Sequence, residues 1–287
     1  MRRRRVRRPG LTIAIVGLVL AVGAIGGRHL WAKSDDLLRP VVILPNADAP
    51  ALLHPSLGTR FGALLGKARA PVESRPKLIA LTFDDGPYPV TTPLLLQRLR
   101  DLHVPATFFL IGRDAEQFPD LARAIAAGGH EIADHTLTHP DLDALDDRAV
   151  LAELRGGADS LERIAPDPAE RTTFRPPHGR YTDATIGVAQ AAGYATILWS
   201  DDPGDWRAVT AKALQEHLLE RATAPEIVLL HSGRPSTIAA LGPVVGAFRA
   251  AGYEFVTVEA LLRRVSADQI NRPAKFPLGG NPAPASR

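Results

Sequence analysis

The sequence predicts an α/β fold, a distorted (β/α)7-type barrel, and three observations point to it. Short apolar runs alternate with helical stretches through the middle of the chain, glycines stand where helices must end, and unusual polar residues follow five of the apolar runs. Alternating strands and helices require a parallel sheet with helical crossovers. An open sheet gathers its ligands at a switch point served by a few neighbouring strands, whereas a barrel collects every strand end around one mouth. Polar residues after five strands therefore favour an irregular barrel.

The expected strands are Leu78 to Phe83, Thr107 to Ile111, Glu131 to Ala133, Thr173 to Arg175, Ala195 to Ser200, Ile227 to Leu230 and Glu254 to Val258. Helices fill the intervals. Thr92 followed by Pro93 reads as an N-cap with proline at the first helical position. Gly128-Gly129, Gly193 and Gly252 each close a helix before the next strand. After the strands stand Asp84 and Asp85, His135 and His139, Arg175, Asp202 and Asp205, and His231.

The flanks differ from this core. Residues 1–33 hold eight Lys/Arg and no Asp/Glu, and an uncharged stretch of 17 residues runs from Leu11 to Gly27. At ~1.5 Å per residue it spans roughly 26 Å as a helix, between a signal peptide and an anchor for a ~30 Å hydrocarbon core. An uncleaved single-pass anchor is the expectation, with a secreted product if the segment is cleaved. Either way the arginines stay inside and the body lies outside the cytoplasmic membrane, at the cell envelope. Residues 34–75 read as a proline-containing stalk partly packed on the domain, 76–265 as the folded domain and 266–287 as a Pro/Gly-rich tail.

Composition removes several chemistries. Beyond residue 33 the chain carries 26 basic against 31 acidic groups, which argues against a nucleic-acid surface despite the formal +3 of the whole. With no cysteine there is no disulfide, thiolate metal site or thiol nucleophile. A transition metal would have to use imidazole and carboxylate.

"HTLTHP" places His135 and His139 four residues apart, a spacing that sets two imidazoles on one face of a helical turn. Pro140 disfavours full helix at His139, so the pair is expected on a turn at a helix start. "LTFDDGP" puts Asp84 and Asp85 side by side at a strand end, where adjacent side chains point to opposite faces. Two histidines and one aspartate make a hydrolytic, zinc-type site, and the second carboxylate remains to accept the proton of an attacking water. Taken alone, the Asp-Asp-Gly-Pro turn would read as a helix cap.

Together "TFDDGP", "HTLTHP", "RPPHG", "DPGDW" and "LLH" resemble, in order, the five motifs of the polysaccharide deacetylases of carbohydrate esterase family 4, the NodB-homology domain. The resemblance spans about residues 76–262. It implies metal-dependent removal of acetyl groups from polysaccharides, with Zn²⁺ as the expected ion and Co²⁺ as the alternative. It implies Asp84 as general base, Asp85, His135 and His139 as metal ligands, and His231 as general acid. It further implies that Asp202 holds and tunes His231 and that Arg175 orients Asp84. Pro176, His178, Trp206 and Leu229 would contact substrate, His178 through its backbone N–H toward the oxyanion. His178 replaces the tyrosine common in the family, and Ser232 replaces an aspartate often found after "LLH". The expected substrate is an acetylated N-acetylglucosamine polymer, with peptidoglycan first because an anchored enzyme would sit beside it. An O-acetyl esterase on xylan or another glycan, and a non-catalytic carbohydrate-binding relative, are the alternative readings.

Overall fold

The structure is a computed structural model in which residues 42–43, 77–167 and 172–265 are described. The stretch Leu11 to Gly27 and the tail lie outside them. Among the described residues no helix is long and apolar enough to cross a membrane.

The strands are β1 (Val42–Ile43), β2 (Lys77–Asp84), β3 (Thr107–Leu110), β4 (Glu131–Asp134), β5 (Thr173–Phe174), β6 (Ala195–Ile197), β7 (Glu226–His231) and β8 (Tyr253–Phe255). The helices are α1 (Thr91–Asp101), α2 (Gly112–Gln117), α3 (Pro119–Ala127), α4 (Asp147–Ile164), α5 (Asp183–Ala191), α6 (Ala211–Arg221), α7 (Pro235–Ala250) and α8 (Val258–Arg264). Each expected strand is present within a few residues of its expected ends. The additional one, β1, comes from the proline-containing stretch and pairs antiparallel with β6.

Strand order is β1-β6-β5-β4-β3-β2-β7, with β8 also on β2, and every pairing but that of β1 is parallel. The sheet curls until the chain beyond β6 reaches β7. There Ser200 N–H donates to Ile227 C=O at 2.9 Å, Leu229 N–H donates to Asp201 C=O at 2.9 Å, and Asp201 bridges to Val228. This short seam makes a distorted barrel. Its strands are short because each needs only enough residues to cross a core packed on both faces.

Alternation along β2 explains those two faces. Ile79, Leu81 and Phe83 pack outward against Leu95 and Leu99 of α1, Ile125 of α3, and Val244, Val245 and Phe248 of α7. Leu78 and Ala80 point inward with Phe109, Ala133, Ala195, Ile197 and Ile227, and α8 covers this face through Leu261 and Leu262. The inward set ends at Asp84, whose register partners are Phe109 on β3 and His231 on β7. The candidate site residues thus occupy the C-terminal rim of the barrel interior.

One helix start differs from expectation. α1 begins at Thr91, and Thr92 is buried with its hydroxyl accepting the Tyr88 N–H at 2.8 Å rather than capping the helix. Gly193 and Gly252 do end their helices in the left-handed region, at φ 89° and 82°, where a Cβ would be strained.

Candidate active site

Asp84 is the last residue of β2 and is 4 % exposed. Its Oδ1 accepts from the Arg175 guanidinium at 2.5 Å. Arg175 is wholly buried, donating also to Thr82 Oγ1 at 2.7 Å, Leu198 C=O at 2.9 Å and Ile197 C=O at 3.2 Å, with its guanidinium 4.1 Å above the Phe109 ring. A buried cation with this many acceptors is held in one place, and it aligns one oxygen of Asp84 while leaving the other free. Burial raises the Asp84 carboxyl above its usual range, opposed by Arg175 and His231.

Asp85 corrects a simple strand reading. Two neighbours on a strand would diverge, but the strand stops at Asp84 and Asp85 has φ 67°. This left-handed turn swings its carboxylate back, so Asp84 Oδ2 and Asp85 Oδ1 both lie 3.8 Å from His135 Nε2. His139 Nε2 is 3.3 Å from the same Asp85 oxygen. His135 and His139 stand on an irregular loop after β4 rather than at a helix start. Left-handed Thr136 (φ 71°) and His139 (φ 61°) fold that loop so that the rings lie 4.8 Å apart.

The loop is held from several sides. Asp134 Oδ1 accepts Thr136 N–H at 2.8 Å and Thr136 Oγ1 accepts His139 N–H at 3.0 Å. Glu153 of α4 takes both the N–H and the hydroxyl of Thr138 at 2.8 Å. Among the described residues, four of the five non-glycine residues with positive φ are Asp85, Thr136, His139 and His178, so backbone strain is concentrated at this one place.

Asp85, His135 and His139 offer three donor atoms within 4.8 Å of one another. The set fits a divalent cation. His135 Nδ1 donates to the Arg175 carbonyl at 2.8 Å, which leaves Nε2 as the lone-pair atom facing Asp85. Burial pushes the His135 imidazole down to about 3 and lowers His139 as well, so both rings are neutral and able to ligate. The 3.3 Å edge between His139 and Asp85 is about the separation of two ligands with ~2.0–2.1 Å bonds in a tetrahedral site.

His231 ends β7 opposite Asp84. Its Nδ1 donates to Asp205 Oδ1 at 2.7 Å and its backbone N–H donates to Asp205 Oδ2 at 2.8 Å. Thr237 adds a third donor to that carboxylate at 2.7 Å. Burial alone would lower the imidazole, but the bond and charge of fully buried Asp205 outweigh it and push the group up to about 9. Asp84 and Asp85 push the same way, so the surroundings of His231 favour its protonated form. Ser232, in place of a carboxylate, donates its hydroxyl to the Asp84 and Asp85 carbonyls at 3.1 and 3.2 Å, tying the ends of β7 and β2 together.

Asp205, rather than the expected Asp202, therefore holds His231. Asp202 Oδ1 accepts the Gly204 N–H at 2.8 Å, an i to i+2 turn that reverses the chain and presents Asp205 to the histidine. "DPGDW" contains both aspartates, and spacing alone does not say which one turns the chain. Trp206 is half-buried, bonded to Asp202, with the Arg207 guanidinium 4.4 Å over its ring. Leu229 is buried two residues before His231 and on its face. Pro176 is buried and leads into the turn that carries exposed His178. The His178 ring stands edge-on to His139 with centroids 4.6 Å apart, and its Nδ1 lies 2.8 Å from Asp141 Oδ1.

Residues 72–197 match the family model described as polysaccharide deacetylase. A peptidoglycan-N-acetylglucosamine deacetylase of Bacillus cereus is 39 % identical over 197 residues, 67 % of this chain and 91 % of the relative. A chitooligosaccharide deacetylase of Sinorhizobium fredii is 37 % identical over 188 residues, 61 % of this chain and 87 % of the relative. Among solved structures, a peptidoglycan N-acetylglucosamine deacetylase in complex with an N-oxidanyl-benzamide superposes with a TM-score of 0.64 at 29 % identity, covering 66 % of this chain and 90 % of that one.

Proposed function

Since the chain belongs to the polysaccharide deacetylase family, the NodB-homology domains of carbohydrate esterase family 4, we propose that it hydrolyses the acetamide of N-acetylglucosamine units in peptidoglycan. One observation carries this reading. A donor set of one aspartate and two histidines whose imidazoles burial keeps neutral stands between a carboxylate aligned by a buried arginine and a histidine whose protonated form a buried aspartate favours. Hydrolysis of an amide needs a base for the water and an acid for the departing nitrogen, and the partners fit those roles: the Arg175 guanidinium favours an ionised Asp84 against its burial, and the Asp205 carboxylate favours a protonated His231.

Asp84 takes the proton of the attacking water on the oxygen that Arg175 leaves free, and His231 delivers a proton from Nε2 to the departing amine. Arg175 and Asp205 are positioning residues, acting through Asp84 and His231. A divalent cation held by Asp85, His135 and His139 supplies Lewis-acid polarisation and makes water acidic enough to attack near neutrality; this donor set suits Zn²⁺, with Co²⁺ as the alternative. The His178 backbone N–H, presented by its left-handed conformation, donates to the developing oxyanion. Leu229, Pro176 and Trp206 border the acetyl group and the sugar.

The same reading places the enzyme at the cell envelope, with the segment Leu11 to Gly27 holding it in the cytoplasmic membrane and the catalytic domain outside. Six arginines before an uncharged stretch support that orientation. A periplasmic reporter fused to the C-terminus should be active; activity of a cytoplasmic reporter would overturn it.

The catalytic reading is tested by incubating the metal-loaded protein with fully N-acetylated peptidoglycan, then analysing muramidase fragments by mass spectrometry. Free amines should appear on glucosamine, vanish after chelation and return with added Zn²⁺ or Co²⁺. Unchanged fragments, or turnover that survives complete metal removal, would refute it.

A further inference from the structure

A cleft of ≈ 430 Å³ opens from Asp85 and His231 and runs away from the histidine pair, walled by Tyr88, Val90, Gly233 and Arg234. Its construction is specific. A Cβ at Gly233 would come within 2.8 Å of the Tyr88 ring, and one at Gly86, where φ is 71°, would come within 3.2 Å of that ring and 2.9 Å of Ser232 Oγ. The two bare backbones let the aromatic ring lie close beside Asp85 and His231, where a larger residue would push it out. Tyr88 is half-buried, and Val90 is 74 % exposed, an unusual position for a large apolar side chain. Arg234 is the N-cap of α7 and lines the same cleft; its carbonyl accepts the Ile238 N–H at 3.3 Å, and its exposed guanidinium makes no hydrogen bond or ion pair among the described residues. An aromatic face, an apolar lip and an unpaired guanidinium form a surface for a sugar ring that carries an anion.

We propose that this cleft binds the sugar next to the one being deacetylated and that Arg234 is a specificity-determining residue, pairing with a carboxylate on that sugar. Where a peptidoglycan strand carries no stem peptide, the neighbouring sugar bears a lactyl ether that ends in a free carboxylate, an attached peptide converting that group to an uncharged amide, whereas chitooligosaccharides have no such anion. The inference rests on the deacetylase reading above and sharpens it: the site selects the acidic glycan over the neutral one. Guanidinium suits this task because its planar fork meets a carboxylate with two parallel bonds, and a lysine would offer only a point charge.

The test compares two tetrasaccharides, one alternating N-acetylglucosamine with its lactyl-ether derivative and one of N-acetylglucosamine alone, using the full metal-loaded chain. The unsubstituted protein should show a higher kcat/KM on the acidic tetrasaccharide. In Arg234→Gln the acidic-to-neutral ratio should fall about ten-fold, chiefly through KM, and Arg234→Lys should restore part of it. Without any substitution, raising KCl from low to high ionic strength should erode the same preference, because an exposed ion pair is screened. A ratio indifferent to Arg234→Gln and to salt, with both glycans still hydrolysed, would overturn the inference and leave the deacetylase reading intact. Hydrolysis of neither glycan would overturn both.

Discussion

The two aspartates of "FDDG" differ by one backbone angle, and the difference sets distinct consequences for their substitution. Asp85 shares its Oδ1 with both imidazoles, so Asp85→Asn should lower metal content as well as turnover, a neutral amide oxygen being a poorer partner for a dication. Asp84 is engaged by Arg175, so Asp84→Asn should retain metal while losing ~10²–10⁴ in rate. Elemental analysis after dialysis, beside a deacetylation assay, separates them; equal metal loss in both would exchange the roles. Asp205→Asn has a different signature. With that carboxylate gone, burial is opposed only by the charges of Asp84 and Asp85, so His231 should fall below about 9 and the alkaline limb of the kcat/KM profile should move to lower pH. An unmoved limb would mean that His231 is not the group titrating there.

At the scale of elements, α4 is the scaffold of the histidine loop. Besides the Glu153 contacts, it places Gly157 so close beneath the loop that a Cβ would meet Asp134 Oδ1 at 2.3 Å and the Thr136 carbonyl carbon at 2.8 Å. Gly→Ala inside a helix ordinarily stabilises by ~0.5–1 kcal/mol. Gly157→Ala should do the reverse, destabilising by about 1–3 kcal/mol through overpacking and loosening metal at the same time. Gly246→Ala in α7, exposed and with nothing within 4 Å of the added carbon, is the control and should stabilise. Urea unfolding of both variants gives the two signs. This dependence on α4 is invisible in "HTLTHP", because a glutamate and a glycine on a distant helix carry no motif of their own.

Two buried titratable groups away from the site shape the pH response of the whole molecule. Burial lifts Glu226 to about 8, so the folded form holds a proton that the unfolded chain releases near its ordinary 4.5. Its contribution is complete below about 4.5 and is lost as pH rises to about 8. His130 has the opposite sign: burial lowers it to about 4, and its contribution, present above about 6.5, is lost as pH falls toward 4. Thermal stability should therefore decline on the alkaline side, and Glu226→Gln should flatten that decline between pH 6.5 and 8 while steepening the rise from 4.5 to 6.5, where the two groups oppose each other. A slope that persists in Glu226→Gln would assign it elsewhere. A truncated chain of residues 34–266 keeps every strand, helix and site residue described above and should melt cooperatively, as calorimetry would show. Failure to fold would mean that the removed ends belong to the core.

The alternation of apolar runs with helical stretches determined the parallel α/β barrel, because a parallel strand needs a crossover and a buried strand needs apolar residues on both faces. The ordered motifs determined the candidates for metal ligation and for acid-base chemistry, since such chemistry demands particular side chains at particular strand ends. Three matters were decided only by tertiary structure. Asp205 rather than Asp202 meets His231 because a local turn at Gly204 aims one carboxylate inward. Asp85 joins Asp84 at one centre because a left-handed residue reverses the divergence of a strand. Tyr88 and Arg234, far apart in the chain, enclose one cleft because Gly86 and Gly233, beside them in sequence, withhold their side chains. In each case the sequence supplies the residue type, while direction depends on backbone angles and on partners distant in the chain, which no local pattern encodes.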